Sequence, residues 1–189
     1  LSRKNIEGIF ISPASDEFKE YFIQVLDELI SRYAVDGIHL DYVRYAGEEY
    51  DYSTAMRSKF ILEYGHDPME KFSNRRADSV WMAFRRTQVT GFIEELQRWI
   101  KQRQPSLKVS AAVWADLHEA ENRVLQDWPN WITRVDFLVL MNYAADQNAF
   151  EQRMRAASRV LGEEGMKRVV MGISLYNQSI KSAEEKWKA

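Results

Sequence analysis

Hydrophobic and polar positions alternate along the chain in a way that divides it into strand-like and helix-like segments. Short apolar runs bounded by turn residues predict five strands, at 8–11, 36–45, 107–115, 135–141 and 168–175. Apolar positions spaced three and four residues apart predict helices at 16–30, 54–64, 80–104, 119–127 and 147–161, with a last helix starting near Ser182. Because a helix is the usual crossover between parallel strands, this order indicates an α/β protein with a parallel sheet.

The run VDGIHLDYVRY (35–45) has the most informative pattern. Side chains alternate along a strand, so His39 and Asp41 share one face while Ile38, Leu40 and Tyr42 share the other. A carboxylate and an imidazole therefore project together from the carboxyl end of this strand, where parallel α/β folds build their sites.

Polar residues also follow the other predicted strands. A doubly wound nucleotide-binding sheet should carry a glycine-rich phosphate turn, but neither GxGxxG nor GxxxxGK[ST] occurs in the sequence. A barrel whose rim converges on one pocket accounts better for polar groups at four successive strand exits. These groups are Asp41 with Arg44, Asp116, Asn142 with Tyr143, and Tyr176.

A long decorated loop at about 46–79 interrupts this alternation. It is predicted to hold one small helix, 54–64, capped by Ser53 and stopped by Gly65. Loops of this length in compact domains are often lids or binding walls. We expect residues 1–189 to form one partial barrel domain that includes this loop.

Composition narrows the choice of partner. The chain has 189 residues, of which 46% are hydrophobic, enough for a sizeable core. The net charge of -2 and a pI near 6.0 give no basic surface for nucleic acid. There is no cysteine, no transmembrane run and no signal peptide, so membrane insertion is not expected. Because the chain begins with Leu1 rather than Met, it is expected to be part of a longer protein.

Several collinear motifs resemble one known family. VDGIHLDYVRY is followed by a tyrosine-containing segment (47–53), FRRTQVTGFIEELQRWI, KVSAAVWAD, VLQDWPNWI and FLVLMNY. Together they are similar to the glycosyl-hydrolase-like family ten, a set of mostly bacterial barrel proteins. The resemblance implies a (β/α)8 TIM-barrel-type fold, of which this chain would supply about five units, strands three to seven.

The same resemblance implies a carbohydrate-active, exported protein that acts on bacterial polysaccharide or cell-wall glycan. Two departures from the family pattern occur, at Ala46, where proline is usual, and at Ser12-Pro13, where Asn-Pro is usual. The first could reshape the loop and the second could remove a rim amide. The remaining barrel strands, with any catalytic group on them, would come from the longer parent chain.

Glycoside hydrolysis needs two carboxyl groups, about 5–5.5 Å apart for retention and about 6.5–9.5 Å apart for inversion. Asp41 is the first candidate, as nucleophile or transition-state stabiliser, although a structural aspartate paired with Arg44 is the alternative. Asp116 is the second candidate, because adjacent strands lie about 4.8 Å apart. Asp116 could equally cap the following helix, and Glu119, Glu48 and Glu49 are competing acids.

Other side chains at the strand exits are expected to bind the substrate or support the site. Arg44 is expected to keep Asp41 ionised, and the remaining candidates supply hydrogen bonds or flat faces to sugar rings. His39 and Arg86 are expected to support the site, although Arg86, like Arg85, could belong to the polar face of its helix. Residues expected to bind substrate are Tyr42, Arg44, Trp114, Asn142, Tyr143 and Tyr176.

Three functions remain open from the sequence. A glycoside hydrolase with Asp41 at its centre is the main hypothesis, and a non-catalytic glycan-binding barrel that lacks the acid is the alternative. A metal-dependent glycan deacetylase or hydrolase is the third. The histidines at 39, 66 and 118 show no ligand spacing, so we expect neither a metal nor a cofactor.

Overall fold

A computed structural model describes residues 9–71 and 79–188 of the chain. Its strands are β1 (Gly37–Leu40), β2 (Lys108–Trp114), β3 (Phe137–Met141) and β4 (Val169–Gly172). Its helices are α1 (Asp16–Arg32), α2 (Thr54–Tyr64), α3 (Ser79–Arg103), α4 (Leu117–Asn122), α5 (Trp128–Trp131), α6 (Gln147–Met166) and α7 (Ile180–Lys188), and a 3-10 helix spans Pro68–Lys71.

The four strands form one parallel sheet in the order β1-β2-β3-β4. Leu40 pairs with Ala111, Ala111 with Leu138, and Leu138 with Val169. Helices connect the strands, so all four carboxyl ends lie at the same edge. The predicted α/β class with a parallel sheet is confirmed.

One face of the sheet packs into the core. Ile38 and Leu40 of β1 and Leu138 of β3 are buried there, in one cluster with Ile93 and Leu96 of α3. The other face is only partly covered, since His39 is exposed and Val170 is 50% exposed. In the predicted barrel this second face would be the interior.

Local signals place α2 correctly. Ser53 caps it by accepting a hydrogen bond from the Met56 N–H, and Gly65 ends it in the left-handed region at φ 73°. The buried Phe60 ring then packs edge-on against Trp81 of α3, with the ring centroids 5.0 Å apart. The predicted small helix of the long loop is therefore confirmed, and an aromatic contact attaches it to α3.

The strand predicted at 8–11 is wrong where the structure describes it. Residues 9–12 belong to no strand, and Ile9 and Ile11 are 98% and 56% exposed; Gly8 lies outside the described residues. A hydrophobic run predicts burial only when a neighbouring strand pairs with it, and 9–12 has no partner in the described sheet. Four strands, not five, are therefore described.

The strand predicted at 36–45 ends at Leu40. Its carboxyl half turns away because Tyr42 has φ 57°, a left-handed conformation that interrupts the ladder. The fifth predicted strand, 168–175, is likewise shortened to Val169–Gly172. The pattern therefore located the strands but extended both of them into their exit loops.

Asp136 joins three elements at the opposite, amino edge of the sheet. Its Oδ2 accepts the backbone N–H of Val109 at 2.8 Å and lies 2.8 Å from Lys101 Nζ, while Lys108 Nζ lies 3.5 Å from Oδ1. Partial burial acts to raise the pKa of Asp136, but the bonds from Lys101 and Val109 and the two lysine charges outweigh it. The pKa therefore lies below its usual value.

We predict that Asp136→Asn lowers the free energy of unfolding at pH 7 by about 1–2 kcal/mol, because charge-assisted hydrogen bonds are lost. A lowered pKa in the folded state stabilises the protein above the unfolded-state value of about 3.9 and loses that effect as the pH falls through the folded value. The difference from wild type should therefore shrink at about pH 3. Urea unfolding at both pH values measures it.

Asp27→Asn is the matched control. Asp27 forms a half-exposed ion pair with Arg103 at 2.7 Å, and such pairs contribute little, so the control should change stability by less than about 1 kcal/mol. A loss in Asp136→Asn that is the same at pH 7 and at pH 3 would contradict the assignment.

Candidate functional site

Asp41 stands at the exit of β1 with an exposed carboxylate. Its Oδ1 accepts a hydrogen bond from the Tyr42 N–H at 2.7 Å, and Tyr42 adopts the left-handed backbone conformation. This bond fixes the orientation of the carboxylate. Among the described residues Oδ2 has no hydrogen-bonded partner, so one carboxylate oxygen is available to a ligand.

Arg44 packs against aromatic rings at the exits of β1 and β2. Its Cζ lies 4.6 Å from the ring centroid of Tyr42, 5.4 Å from that of Trp114 and 5.7 Å from that of Phe10. Asp41 Oδ1 is bonded to the Tyr42 N–H, and the alternative of a structural aspartate paired with Arg44 stays a prediction. The guanidinium connects the exits of β1 and β2 through the Trp114 ring.

A cavity of about 340 Å³ opens beside Asp41 and Arg44. Its other walls come from the 9–13 segment, α1 and α3, and they are mostly apolar. Pockets of this size bind small ligands when a few polar groups converge on an apolar surface. The residues that line it are Ile9, Phe10, Ile11, Pro13, Phe18, Phe22, Asp41, Tyr42, Val43, Arg44, Val89 and Phe92.

Gln126 connects the exits of β1 and β2, and sequence reasoning missed it. Its side chain is 1% exposed; Oε1 accepts the Trp114 N–H at 3.0 Å, and Nε2 donates to Ala112 O at 3.2 Å and Val43 O at 3.3 Å. Every strong hydrogen-bonding group of the amide is therefore used. The one sequence signal was a polar residue within the apolar run from Val124.

Trp114 lies between two guanidinium groups at the exit of β2. Arg44 Cζ and Arg123 Cζ are each 5.4 Å from its ring centroid. Arg123 also contacts Glu119 Oε2 at 3.2 Å. The predicted neighbourhood of Asp41, Tyr42, Arg44 and Trp114 is thus brought together, with Arg123 added to it.

Asp116 has the contacts of a helix cap. Its Oδ1 accepts the Glu119 N–H at 3.1 Å at the start of α4, and Oδ2 lies 3.8 Å from Arg153 Nε on α6. The capping alternative is confirmed. The catalytic role of Asp116 stays a prediction, and both oxygens now have another partner.

The exits of β3 and β4 are held mainly by structural contacts. Asn142 is fully buried and its Nδ2 donates to Phe150 O at 3.0 Å, which anchors the first turn of α6. Tyr143 and Tyr176 are 41% and 83% exposed, and Asn177 Nδ2 donates to Tyr143 O at 2.9 Å. Both tyrosines are accessible to a ligand, whereas Asn142 is enclosed, and their substrate roles stay predictions.

Of the two supporting residues, His39 lies on the partly covered face of the sheet, with Nδ1 2.8 Å from Ser110 Oγ on β2. Arg86 forms an ion pair with Glu121 of α4 at 2.9 Å, so it belongs to the α3–α4 contact. These contacts join β1 to β2 and α3 to α4, and the supporting roles of His39 and Arg86 stay predictions.

Arg85, next to Arg86, is fully buried and was missed as a core residue. Its Cζ lies 5.3 to 5.8 Å from the ring centroids of Trp81, Tyr52 and Tyr45. Burial lowers the pKa of Arg85 from its ordinary value, while nearby tyrosines and acids act in the opposite direction. Its helical spacing from Trp81 and Val89, both buried, was the signal that could have placed it in the core.

A second, polar cleft of about 500 Å³ lies between the loop after β1 and α4. A Cβ atom on the buried Gly47 would come within 2.5 Å of Glu49 Oε2, so the Glu49 carboxylate lies against the loop backbone. The lining residues are Ala46, Gly47, Glu48, Glu49, His118, Glu119, Asn122 and Arg123.

Two further observations concern the described residues alone. They contain no cluster of three or more histidine and acidic side chains that could hold a metal ion. Within residues 9–71 and 79–188, no helix combines the length and apolarity needed to cross a bilayer.

Comparisons with known proteins agree with this fold. The family model described as Glycosyl hydrolase-like 10 matches residues 2–189. The glycoside hydrolase domain of PgaB (BpsB) from Bordetella bronchiseptica aligns with a TM-score of 0.73 and 15% identity, covering 94% of this chain and 55% of that chain. An S-layer-related protein from Niallia circulans is 26% identical in an alignment of length 103 that covers 47% of this chain and 6% of that protein. The fold is that of part of a TIM barrel.

We predict that Gln126→Leu lowers the free energy of unfolding by about 2–3 kcal/mol. The leucine fills a similar volume but leaves the Trp114 N–H and the carbonyls of Ala112 and Val43 without this partner. Urea unfolding followed by tryptophan fluorescence measures the loss. Gln102→Leu, on the exposed side of α3, is the control and should stay within about 0.5 kcal/mol of wild type. Equal stability of the two variants would contradict the bridging role.

Proposed function

The chain belongs to the glycosyl hydrolase-like 10 family, and on this premise we propose that it is a glycoside hydrolase acting on bacterial polysaccharide or cell-wall glycan. The observation that carries the proposal is the oriented carboxylate of Asp41 beside the 340 Å³ cavity. Family membership supports a carbohydrate-active protein. The cleavage reaction and the glycan are the proposed steps beyond it.

In this proposal Asp41 is the nucleophile or the stabiliser of the oxocarbenium-like transition state. The Tyr42 N–H holds one carboxylate oxygen at 2.7 Å, which leaves the other to face the anomeric carbon. Arg44, Tyr42 and Trp114 supply a cationic and aromatic surface on which sugar rings can pack. The second carboxyl group must approach from a neighbouring loop or strand.

The Asp116→Asn variant tests whether Asp116 is the second catalytic carboxylate or only the cap of α4. Asparagine caps a helix about as well as aspartate does, so the variant should keep its stability within about 0.5 kcal/mol. Because its present contacts are those of a cap, we expect the hydrolysis rate to stay within about threefold of wild type. A loss of about a hundredfold at unchanged stability would instead assign Asp116 as the second carboxylate.

We expect Asp41→Asn to reduce hydrolysis by about a hundredfold or more while binding changes little, because the substitution removes the charge and keeps the shape. Release of reducing ends from a soluble bacterial exopolysaccharide and from purified cell-wall glycan measures the rate. Glu20→Gln, an exposed carboxylate on α1, is the control and should retain wild-type activity. An undiminished rate in Asp41→Asn would refute the role of Asp41.

A glycan-binding protein without hydrolytic activity is the second candidate. The capping contacts of Asp116 favour it, because they engage the carboxylate that was expected to complete the catalytic pair. Binding of the same two glycans with no release of reducing ends by the wild-type protein would establish this alternative.

An extracytoplasmic location is part of the proposal. It is supported by the match to a protein described as S-layer-related and by the nature of the proposed substrates, which lie outside the cytoplasm. The remaining strands of the barrel are proposed to come from a longer parent chain, since this chain spans 55% of the solved relative.

A further inference from the structure

A fully buried guanidinium supports the loop that forms one wall of the polar cleft. Arg85 of α3 donates from Nη1 to the carbonyl oxygen of Glu48 at 2.8 Å, and its own carbonyl accepts the Tyr45 hydroxyl at 3.2 Å. Tyr45, Tyr52 and Trp81 surround the cation with their rings. Arg85 therefore contacts the loop at both ends and in the middle.

Residues 45–53, here called the wall loop, have additional fixed points of their own. The Tyr45 N–H donates to Val124 O at 3.0 Å, the Tyr50 N–H to Gly47 O at 3.1 Å, and the Ser53 N–H to Asp51 Oδ1 at 2.7 Å. With Arg85 beneath it, the loop is attached to the rest of the protein at Tyr45, Glu48 and Tyr52 and is braced by two hydrogen bonds within it. This differs from a lid, which must release such contacts in order to open.

Stability alone does not account for a cation at this position. A buried charge is costly to desolvate, and Arg85 Nε and Nη2 and Asp51 Oδ2 have no hydrogen-bond partner among the described residues. An apolar side chain of similar volume would avoid this cost. What an apolar side chain could not supply is the bond to the Glu48 carbonyl, together with the aromatic contacts on three sides.

We propose that Arg85 is a positioning residue that holds the wall loop as a preformed side of the glycan cleft. Through the Glu48 carbonyl it places the side chains of Glu48 and Glu49 at the 500 Å³ cleft. Through Tyr45, whose carbonyl accepts a bond from Arg44 Nη1 at 3.2 Å, it also fixes the guanidinium beside Asp41. The wall thus presents carboxylate acceptors to the hydroxyl groups of a sugar unit bound in this cleft.

The kinetic consequence of this inference rests on the proposed function, whereas the fixed wall can be tested without substrate. Limited proteolysis with a glutamate-specific protease reports on the loop, because cleavage after Glu48 or Glu49 requires local opening. In Arg85→Lys the planar guanidinium contacts are lost but the charge is kept. We expect the rate of cleavage at these two bonds, located by mass spectrometry, to rise about tenfold.

Arg98→Lys is the matched control, because Arg98 is exposed on the same helix. It should show the wild-type cleavage rate. Circular dichroism at the temperature of the digest verifies that each variant is folded. If Arg85→Lys does not fold, Tyr52→Leu, which removes one ring from around the cation, replaces it in every measurement. Failure of both variants to fold would make Arg85 a folding requirement and overturn the positioning role.

The second measurement is of KM and kcat with the glycan that the wild-type protein cleaves. A displaced wall should raise KM about five- to tenfold and change kcat less than about twofold, because the wall binds a neighbouring sugar and does not touch the reacting atoms. A purely structural role would lower the melting temperature and leave both KM and the cleavage pattern as in wild type, and that result would overturn the proposal.

The two proposals fail in distinguishable ways. If the wild-type protein cleaves no glycan, the hydrolase proposal fails, and binding affinity for the same glycan replaces KM. If Arg85→Lys is folded and its wall loop resists the protease as wild type does, the positioning role fails even when Asp41 proves to be essential.

Discussion

The parallel direction of all four strands determines where a site can form. It also leaves backbone groups in the loops after the strands without ladder hydrogen bonds. Parallel strands end at one edge, where their ladder hydrogen bonds stop and irregular loops begin. Buried polar groups in those loops need new partners. In this protein, buried polar side chains supply them: Gln126 joins the exits of β1 and β2, and Asn142 ties the exit of β3 to α6.

Buried charged side chains hold other loops at this edge in the same way. Lys186 of α7 is 2% exposed and donates to the carbonyls of Ala144 and Ala145 at 2.9 and 2.7 Å, which holds the loop after β3. Arg85 holds the loop after β1 by donating a hydrogen bond to the Glu48 carbonyl. Both cations donate hydrogen bonds to loop carbonyl oxygens, so their main effect is on backbone position.

Helices could be predicted from the sequence because their signals are local. The caps Ser53 and Gly65 bounded α2 correctly, and the apolar period of α3 gave its limits within one residue. Strands depend on partners distant in the sequence. The run at 9–11 has no partner in the described sheet, and β1 ends early because of the backbone conformation of Tyr42, which the apolar pattern does not encode.

The same distinction between local signals and distant partners applies to the residues of the candidate site. Asp41, Arg44 and Trp114 were predicted because residues after a strand have a known position at the edge of the sheet. Gln126 and Arg85 were missed, since hydropathy places glutamine and arginine on the surface unless their buried partners are known. The sequence signals were weak, a polar residue within an apolar run for Gln126 and the helical spacing from buried Trp81 and Val89 for Arg85, and tertiary contacts show that both are internal.

The contacts of Asp116 also bear on where a general acid could come from. Its Oδ1 accepts a backbone N–H at the start of α4 and its Oδ2 is directed to Arg153 at 3.8 Å, so each oxygen faces a donor. A general acid must instead turn a protonated oxygen toward the leaving group. Glu48 and Glu49 have no ion-pair partner among the described residues and stand on a wall that Arg85 holds in place. A carboxyl group on a preformed loop loses little conformational entropy when substrate binds, which suits Glu48 and Glu49 to binding the hydroxyl groups of a neighbouring sugar unit.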